Sequence, residues 1–237
     1  SLPSEAYKRA IESLYRNITP IGFSAASLLN NPLTAEDSNY FAVWSRDGIK
    51  AGLWSQCLRD SELNDCFCRT LLLLAEHQTD GGQIPANVQI RSGTPDYGGV
   101  GNIASIDSVI WFVIGSARYA AHNRDVQFLK KMYPNLKLAM SWLRAHDSNN
   151  CGLLELPESS DWMDLFPRSY NVLYDEVLWY LACCDFVVVS EVLGEDPQDY
   201  SRLSELIRKK ILRQFWPTAK KLSEAQESFA ETQFMIG

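Results

Sequence analysis

Between residues 159 and 170 the chain reads Ser159-Ser160-Asp161-Trp162-Met163-Asp164, with Pro167-Arg168 and Tyr170 just behind. Two carboxylates thus share a short stretch with a Trp, an Arg and a Tyr, between two segments of strongly helical pattern. Carboxylates beside aromatic rings on a loop are what sugar chemistry needs. The ring offers an apolar platform to the sugar face, and its low-dielectric contact raises a nearby acid until it can donate a proton. The same residues also suit a purely structural role, with Asp161 as a turn cap and Asp164 as a solvated charge. On this stretch alone the two alternatives stand level.

Further polar and aromatic residues of this kind come earlier and later. Trp44-Ser45-Arg46-Asp47-Gly48 places adjacent Arg and Asp at a helix start, where they can donate and accept to neighbouring hydroxyls of a polyol while Trp44 stacks on its ring. A local Arg46–Asp47 pair is the structural alternative. Gln83 follows Gly81-Gly82, either as a hydrogen-bonding residue or as part of a tight turn. Asp107, in Ser105-Ile106-Asp107-Ser108, either accepts from a sugar hydroxyl or caps its helix. Trp111 lies one turn further along the same face, as core or as platform. Asp175 and Glu176 sit inside the helix after the Asp164 loop; one can point to the site, but solvated helix charges are the default expectation.

The elements that must position these residues are helical. Three- and four-residue spacing predicts helices over Ser4–Tyr15, Ile49–Leu58, Glu62–His77, Ser105–His122 and Asp125–His146. Two more run from Arg168 or Ser169 to Val192 and from Pro197 to Phe215. Residues 18–45 read as loop, with an extended piece at Tyr40–Trp44. Short connections alternate with long polar, aromatic-rich ones. In an array of helical hairpins this places the Arg46, Gln83, Asp107 and Asp164 segments on one rim. No tetratricopeptide- or ankyrin-type repeat is present.

Bulk properties exclude several classes. The 237 residues are 46% hydrophobic and carry a net charge of −7, with the acidic residues dispersed. No basic stripe for nucleic acid or an anionic membrane is present. The longest apolar run, Phe186–Val189, is far too short to span a bilayer. None of the six cysteines forms a CxxC pair, and none has a His at metal-ligand spacing. Free thiols, and no visible basic and apolar leader at the N-terminus, give the expectation of a cytoplasmic chain. His77, His122 and His146 stand apart at helix ends, which disfavours a zinc enzyme. No GxSxG or Walker pattern occurs. No metal or cofactor is expected, and the partner expected is a carbohydrate.

Four motifs together carry a family resemblance: Trp44-Ser45-Arg46-Asp47-Gly48, Asp80-Gly81-Gly82-Gln83-Ile84-Pro85, Ser105-Ile106-Asp107-Ser108-Val109-Ile110-Trp111 and Asp161-Trp162-Met163-Asp164. Their order and spacing over residues 40–185 resemble the six-hairpin glycosidases. The set is similar to the glucoamylase and glycogen-debranching (amylo-α-1,6-glucosidase) group, with features of the neutral/alkaline invertases. The resemblance implies an all-α (α/α)6 toroid. Residues 1–237 would form a single domain, the N-terminal part of the barrel, with about seven of its twelve helices. It further implies an inverting, exo-acting hydrolase releasing glucose from an α-glucoside or α-glucan. Asp164 would stand at the general acid position, with Asp161 as the fallback. Arg46 and Asp47 would hold the terminal glucosyl unit, and Trp44, Gln83, Asp107, Trp111, Trp162, Arg168 and Glu176 would complete the sugar site. The base would lie on a late loop beyond this chain; Glu224, Glu227 and Glu231 lack the family's context. The helix after the acid loop carries Tyr174-Asp175-Glu176 where debranching relatives have a differently ordered Glu and Asn. The competing reading is a catalytically incomplete, carbohydrate-binding helical domain. A terpenoid-cyclase type of barrel is disfavoured because no DxDD-like cluster is present.

Overall fold

A computed structural model of the protein describes residues 2–28 and 40–216, together with 218, 220 and 223. Residues 29–39 of the expected loop, and Glu224, Glu227 and Glu231, lie outside the described residues. The elements are α1 (Leu2–Tyr15), β1 (Ala42–Trp44), α2 (Ser45–Ser55), α3 (Ser61–Glu76), β2 (Asn87–Gln89), β3 (Pro95–Asp96), α4 (Ile106–Asn123), α5 (Val126–Arg144), α6 (Leu173–Leu193) and α7 (Gln198–Lys210). Helix α7 continues into a π-helical stretch over Ile211–Phe215.

The helices form where the apolar spacing predicts them, and local chemistry sets several of their ends. The Asp60 side chain accepts from the Leu63 amide at 2.9 Å and starts α3. Asp125 does the same for α5 through the Phe128 amide. Gly194 closes α6 in the left-handed conformation, at φ +76°. Helix α1 is the least integrated; Tyr7 is exposed, while Ile11 and Leu14 are half-buried.

Hairpins α2/α3, α4/α5 and α6/α7 pack side by side, and α2, α4 and α6 touch one another in that order. Helix α4 is central, buried on nearly every face from Ile106 to Ala120. One apolar core runs through all of them, from Phe23, Ile49 and Phe67 to Trp179, Phe186 and Ile207. The architecture is that of an incomplete helical toroid.

A three-stranded antiparallel sheet, β1-β2-β3, stands at one end of the helices. Ala42 faces Gln89 and Trp44 faces Asn87, while Asn87 faces Asp96. This sheet fastens the start of α2 to the α3–α4 connection. The Ser45 amide adds a bond to the Ala86 carbonyl at 2.9 Å, and its hydroxyl donates to the Pro85 carbonyl.

Two helix starts depart from expectation. Helix α2 begins at Ser45, ahead of Ile49, so Arg46 and Asp47 lie in its first turn and not in a loop. Helix α6 begins at Leu173, later than Arg168 or Ser169. Leu156 and Tyr170 instead exchange two backbone hydrogen bonds, at 2.9 and 2.8 Å. Tyr170 has φ +66°, which a right-handed helix excludes. This bridge is the neck of the loop that carries Trp162 and Asp164.

Candidate functional site

The starts of α2, α4 and α6 come together at the end of the molecule where the Leu156–Tyr170 loop folds back. The Ile106 amide, in the first turn of α4, donates to the Ser160 carbonyl at 2.8 Å and draws the loop onto that helix. Ser160 and Asp161 are buried by this contact.

Arg46 and Asp107 form the first linkage. Arg46 Nη1 lies 2.7 Å from Asp107 Oδ2, and the Asp107 side chain is 0% exposed. Ser105 donates to the other oxygen at 3.1 Å, and the Tyr174 hydroxyl approaches Oδ2 at 3.3 Å. Asp107 therefore does not cap α4 with its side chain; it anchors Arg46 across 61 residues of sequence. Burial alone would lower Arg46, but attraction to Asp107 outweighs it and holds the guanidinium above its ordinary range. The expected local partner, Asp47, is exposed at the rim.

An aromatic set leads outward from this pair. Trp111 Nε1 donates to Tyr174 Oη at 3.0 Å, and Trp162 meets Tyr174 edge-on with ring centroids 6.2 Å apart. Lys50 Nζ sits 5.0 Å from the Trp111 centroid and 5.9 Å from that of Tyr174. Burial, followed by the Arg46 charge, lowers the Lys50 ammonium. Burial and then the neighbouring Asp107 raise the Tyr174 phenol.

The loop carries the second ion pair. Asp161 Oδ1 accepts the Met163 amide at 2.7 Å, the turn-capping geometry expected of it. Its Oδ2 takes Arg168 Nη2 at 2.6 Å. The Arg168 guanidinium lies 5.7 Å from the Trp162 ring centroid. Asp164 is half-buried on the same loop and makes no hydrogen bond or ion pair among the described residues.

Asp175 and Glu176 overturn the expectation of solvated helix charges, for both are 0% exposed. Burial, then the charges of Asp107 and Asp161, push Asp175 up to about 9. Glu176 accepts the Leu154 amide on both oxygens, at 3.0 and 3.2 Å, and burial pushes it up to about 8. Its carboxyl thus braces the chain before the loop.

Gln83 is half-buried and donates to the Tyr97 carbonyl at 3.3 Å, holding the α3–α4 connection. Trp44 is half-buried at the end of β1. The residues brought into one connected group are Arg46, Asp107, Trp111, Asp161, Trp162 and Arg168. Tyr174 and Lys50 join them without having been singled out as site residues. Lys50 was legible as the residue one turn beyond Arg46 on the same face.

Among the described residues, one group of three metal-type ligands converges: Asp147, Cys151 and Glu155, with atoms within 4.8 Å of one another. Asp147 already takes the Cys151 and Gly152 amides at 2.7 Å each, and Glu155 takes the Ser148 amide and hydroxyl. These bonds close the turn after α5. All six cysteines are free. Among the described residues no helix is long and apolar enough to cross a membrane.

No family model matches the sequence, and no curated protein matches it. Solved structures are similar in fold. One is a rhamnosidase from Klebsiella oxytoca with rhamnose bound, at TM-score 0.59 and 18% identity, covering 74% of this chain and 33% of that one. Another is the GH78 family rhamnosidase of Bacillus sp. GL1, at TM-score 0.56 and 16% identity, covering 76% of this chain and 18% of that one. The chain spans a third or less of the length of either structure. At these identities the likeness is one of fold, and it does not bear out the glucoamylase and debranching group expected from the motifs. The chain has the fold of part of an (α/α)6 glycosidase-type barrel.

Proposed function

We propose that this chain supplies the acid side of an inverting, exo-acting glycosidase site that releases glucose from an α-glucoside or short α-glucan. The observation that carries the reading is the Asp164 loop. It carries Trp162, whose ring meets Tyr174 at the end of the molecule where Arg46 and Trp111 gather, and two residues further on a half-buried carboxylate without a hydrogen-bond or ion-pair partner among the described residues. In this reading Asp164 protonates the departing glycosidic oxygen. Arg46 and Asp47 hold hydroxyls of the terminal sugar, and Trp111 and Trp162 line its apolar faces. A second carboxylate, on a segment outside this sequence, activates water from the opposite side. Asp161, paired with Arg168, keeps the loop in shape and is the fallback acid.

The sugar itself has a second reading. The solved structures of similar fold are named as rhamnosidases, one with rhamnose bound, which supports a terminal rhamnoside as substrate. A binding-only helical domain is the alternative of another class.

The test is release of free sugar from maltose, isomaltose, trehalose, sucrose, glucosylglycerate, a branched dextrin and a rhamnoside. It is run on this chain, on the longest product of its gene and on the Asp164→Asn form of each. Loss of a positioned general acid lowers turnover by ~10²–10⁴-fold. Near wild-type turnover in Asp164→Asn sinks the assignment of the acid. Sugar binding that is lost in Arg46→Ala, with no cleavage by any product, favours the binding domain.

A further inference from the structure

We propose that the cleft where the α2–α3 and α4–α5 turns meet is a binding site for a small acidic sugar, a polyol bearing one phosphate or carboxylate. It lies at the far ends of α2 and α4 from Arg46 and Asp107. By the rise of α4 it stands roughly 24 Å from Asp107. The inference holds whether or not the Asp107 end is a glycosidase site.

The two turns are built alike. Helix α2 passes through a 3-10 turn (Gln56–Leu58) into Arg59 and Asp60, and α4 ends at Arg124 and Asp125. In each turn the Asp caps the next helix, accepting the Leu63 or the Phe128 amide at 2.9 Å. In each the Arg before it is left-handed, at φ +53°. The third hairpin closes α6 with Gly194, at φ +76°. Glycine takes this conformation without steric cost, and arginine does not. Two of the three turns thus carry an arginine where the backbone favours glycine. Both arginines line one cleft of about 610 Å³.

The walls of this cleft suit an anion that also carries hydroxyls. Gln56, Asn64, His122 and Asn123 line it beside the two arginines. Asn123 Nδ2 donates to Asn64 Oδ1 at 3.0 Å and ties the α4 wall to the α3 wall. Neither guanidinium makes a hydrogen bond or ion pair among the described residues. The acid of the lining is Asp60, whose Oδ1 is taken by the α3 cap. Two guanidiniums against one carboxylate make a locally basic site on a chain of net charge −7. Paired guanidiniums clamp a phosphate or carboxylate through charge-assisted bonds.

Gln56 supplies the second, independent observation. It is 9% exposed, and its Nε2 is buried with no hydrogen-bond partner. A buried polar group left unpaired is costly, so an amide held this way at the wall of a polar cleft points to a ligand. Turned about its last torsion, it offers the cleft a donor and an acceptor, and a hydroxyl answers both.

The test is calorimetric titration of the longest product of the gene with glucose 6-phosphate, glucuronate and inorganic phosphate. At least one of the two acidic sugars is expected to bind more tightly than phosphate, and more weakly as salt is raised. Arg59→Gly/Arg124→Gly is expected to lower that affinity about tenfold or more. The same double variant is expected to melt at or above the wild-type temperature, because glycine relieves both turns. Gln56→Leu is expected to bring the acidic sugar down toward the affinity of phosphate and to leave phosphate itself unchanged. Failure of both sugars to bind, or binding that is unchanged in the glycine pair, overturns the site. A glycine pair that melts well below wild type overturns it too, since the arginines would then be props of their turns. Phosphate held as tightly as either sugar overturns the assignment of a sugar.

Discussion

At the scale of single residues, the Arg46–Asp107 pair decides what can be changed. Asp107 is 0% exposed, and its partner's side chain is 17% exposed. Arg46→Met would leave a buried carboxylate with only the Ser105 and Tyr174 hydroxyls. Removing one partner of a buried pair costs about 3–5 kcal/mol, whereas replacing both by apolar groups restores much of it. Urea unfolding of Arg46→Met, Asp107→Leu and the double variant is expected to show that recovery. Additive losses in the cycle would mean the two side chains do not act as a pair. Both residues stand out in the sequence by type, but their pairing does not. Nothing local links positions 61 apart, and the adjacent Asp47 is the natural candidate until the helices are placed. Asp175 shows the same gap: a charged residue in a helix after a polar loop reads as solvated, and only the folded chain shows it wholly buried.

At the scale of elements, α2 is held close to both neighbours by two glycines. A Cβ built on Gly52 would stand 2.1 Å from the Phe67 ring on α3, and one on Gly115 of α4 would stand 2.6 Å from Ile49 Cγ2 on α2. Gly52→Ala gains helix propensity but must displace a wholly buried ring. Overpacking of this kind costs about 1–3 kcal/mol, against roughly 1 kcal/mol gained from propensity. Net destabilisation by thermal unfolding is expected, larger for Gly52→Ala than for Gly115→Ala, where the clashing atom is a methyl. Equal or raised stability in Gly52→Ala would mean that α2 and α3 can separate without loss. The helices themselves were legible because their apolar spacing repeats over several turns. Of the sheet, β1 alone was legible, as part of the extended piece at Tyr40–Trp44; β2 is three residues long and β3 two, too short to show an alternation. The late start of α6 was hidden for a related reason: residues 168–172 are compatible with helix, and the backbone bridge to Leu156 overrides them.

At the scale of the whole molecule, α2, α4 and α6 lie in order around an arc, and α6 bears an apolar stripe along its full length. Leu173, Val177, Leu181, Cys184, Val188 and Val192 follow at steps of three and four, which places them on one face. Val177, Val188 and Val192 are 40%, 55% and 52% exposed. The opposite face of the same helix buries Leu178, Trp179, Ala182 and Phe186. A helix apolar on both sides fits a position between neighbours; the described neighbours are α4, α5 and α7, and Val188 and Val192 border Ala117 and Ala121 of α4 along one edge of the stripe. In a helical toroid the other side is where the next inner helix packs. The 237-residue chain by itself is expected to cover this stripe by self-association, because half-exposed valines each gain about 1 kcal/mol when they leave water. Sedimentation velocity over a range of concentrations reads this directly, with Val188→Glu/Val192→Glu expected to stay monomeric throughout. In the longest product of the gene the same double change is expected to lower the unfolding midpoint without changing the oligomeric state. A wild-type chain that remains monomeric at every concentration would mean that the stripe is tolerated in water, and one that associates equally well with both glutamates would place the contact on another face.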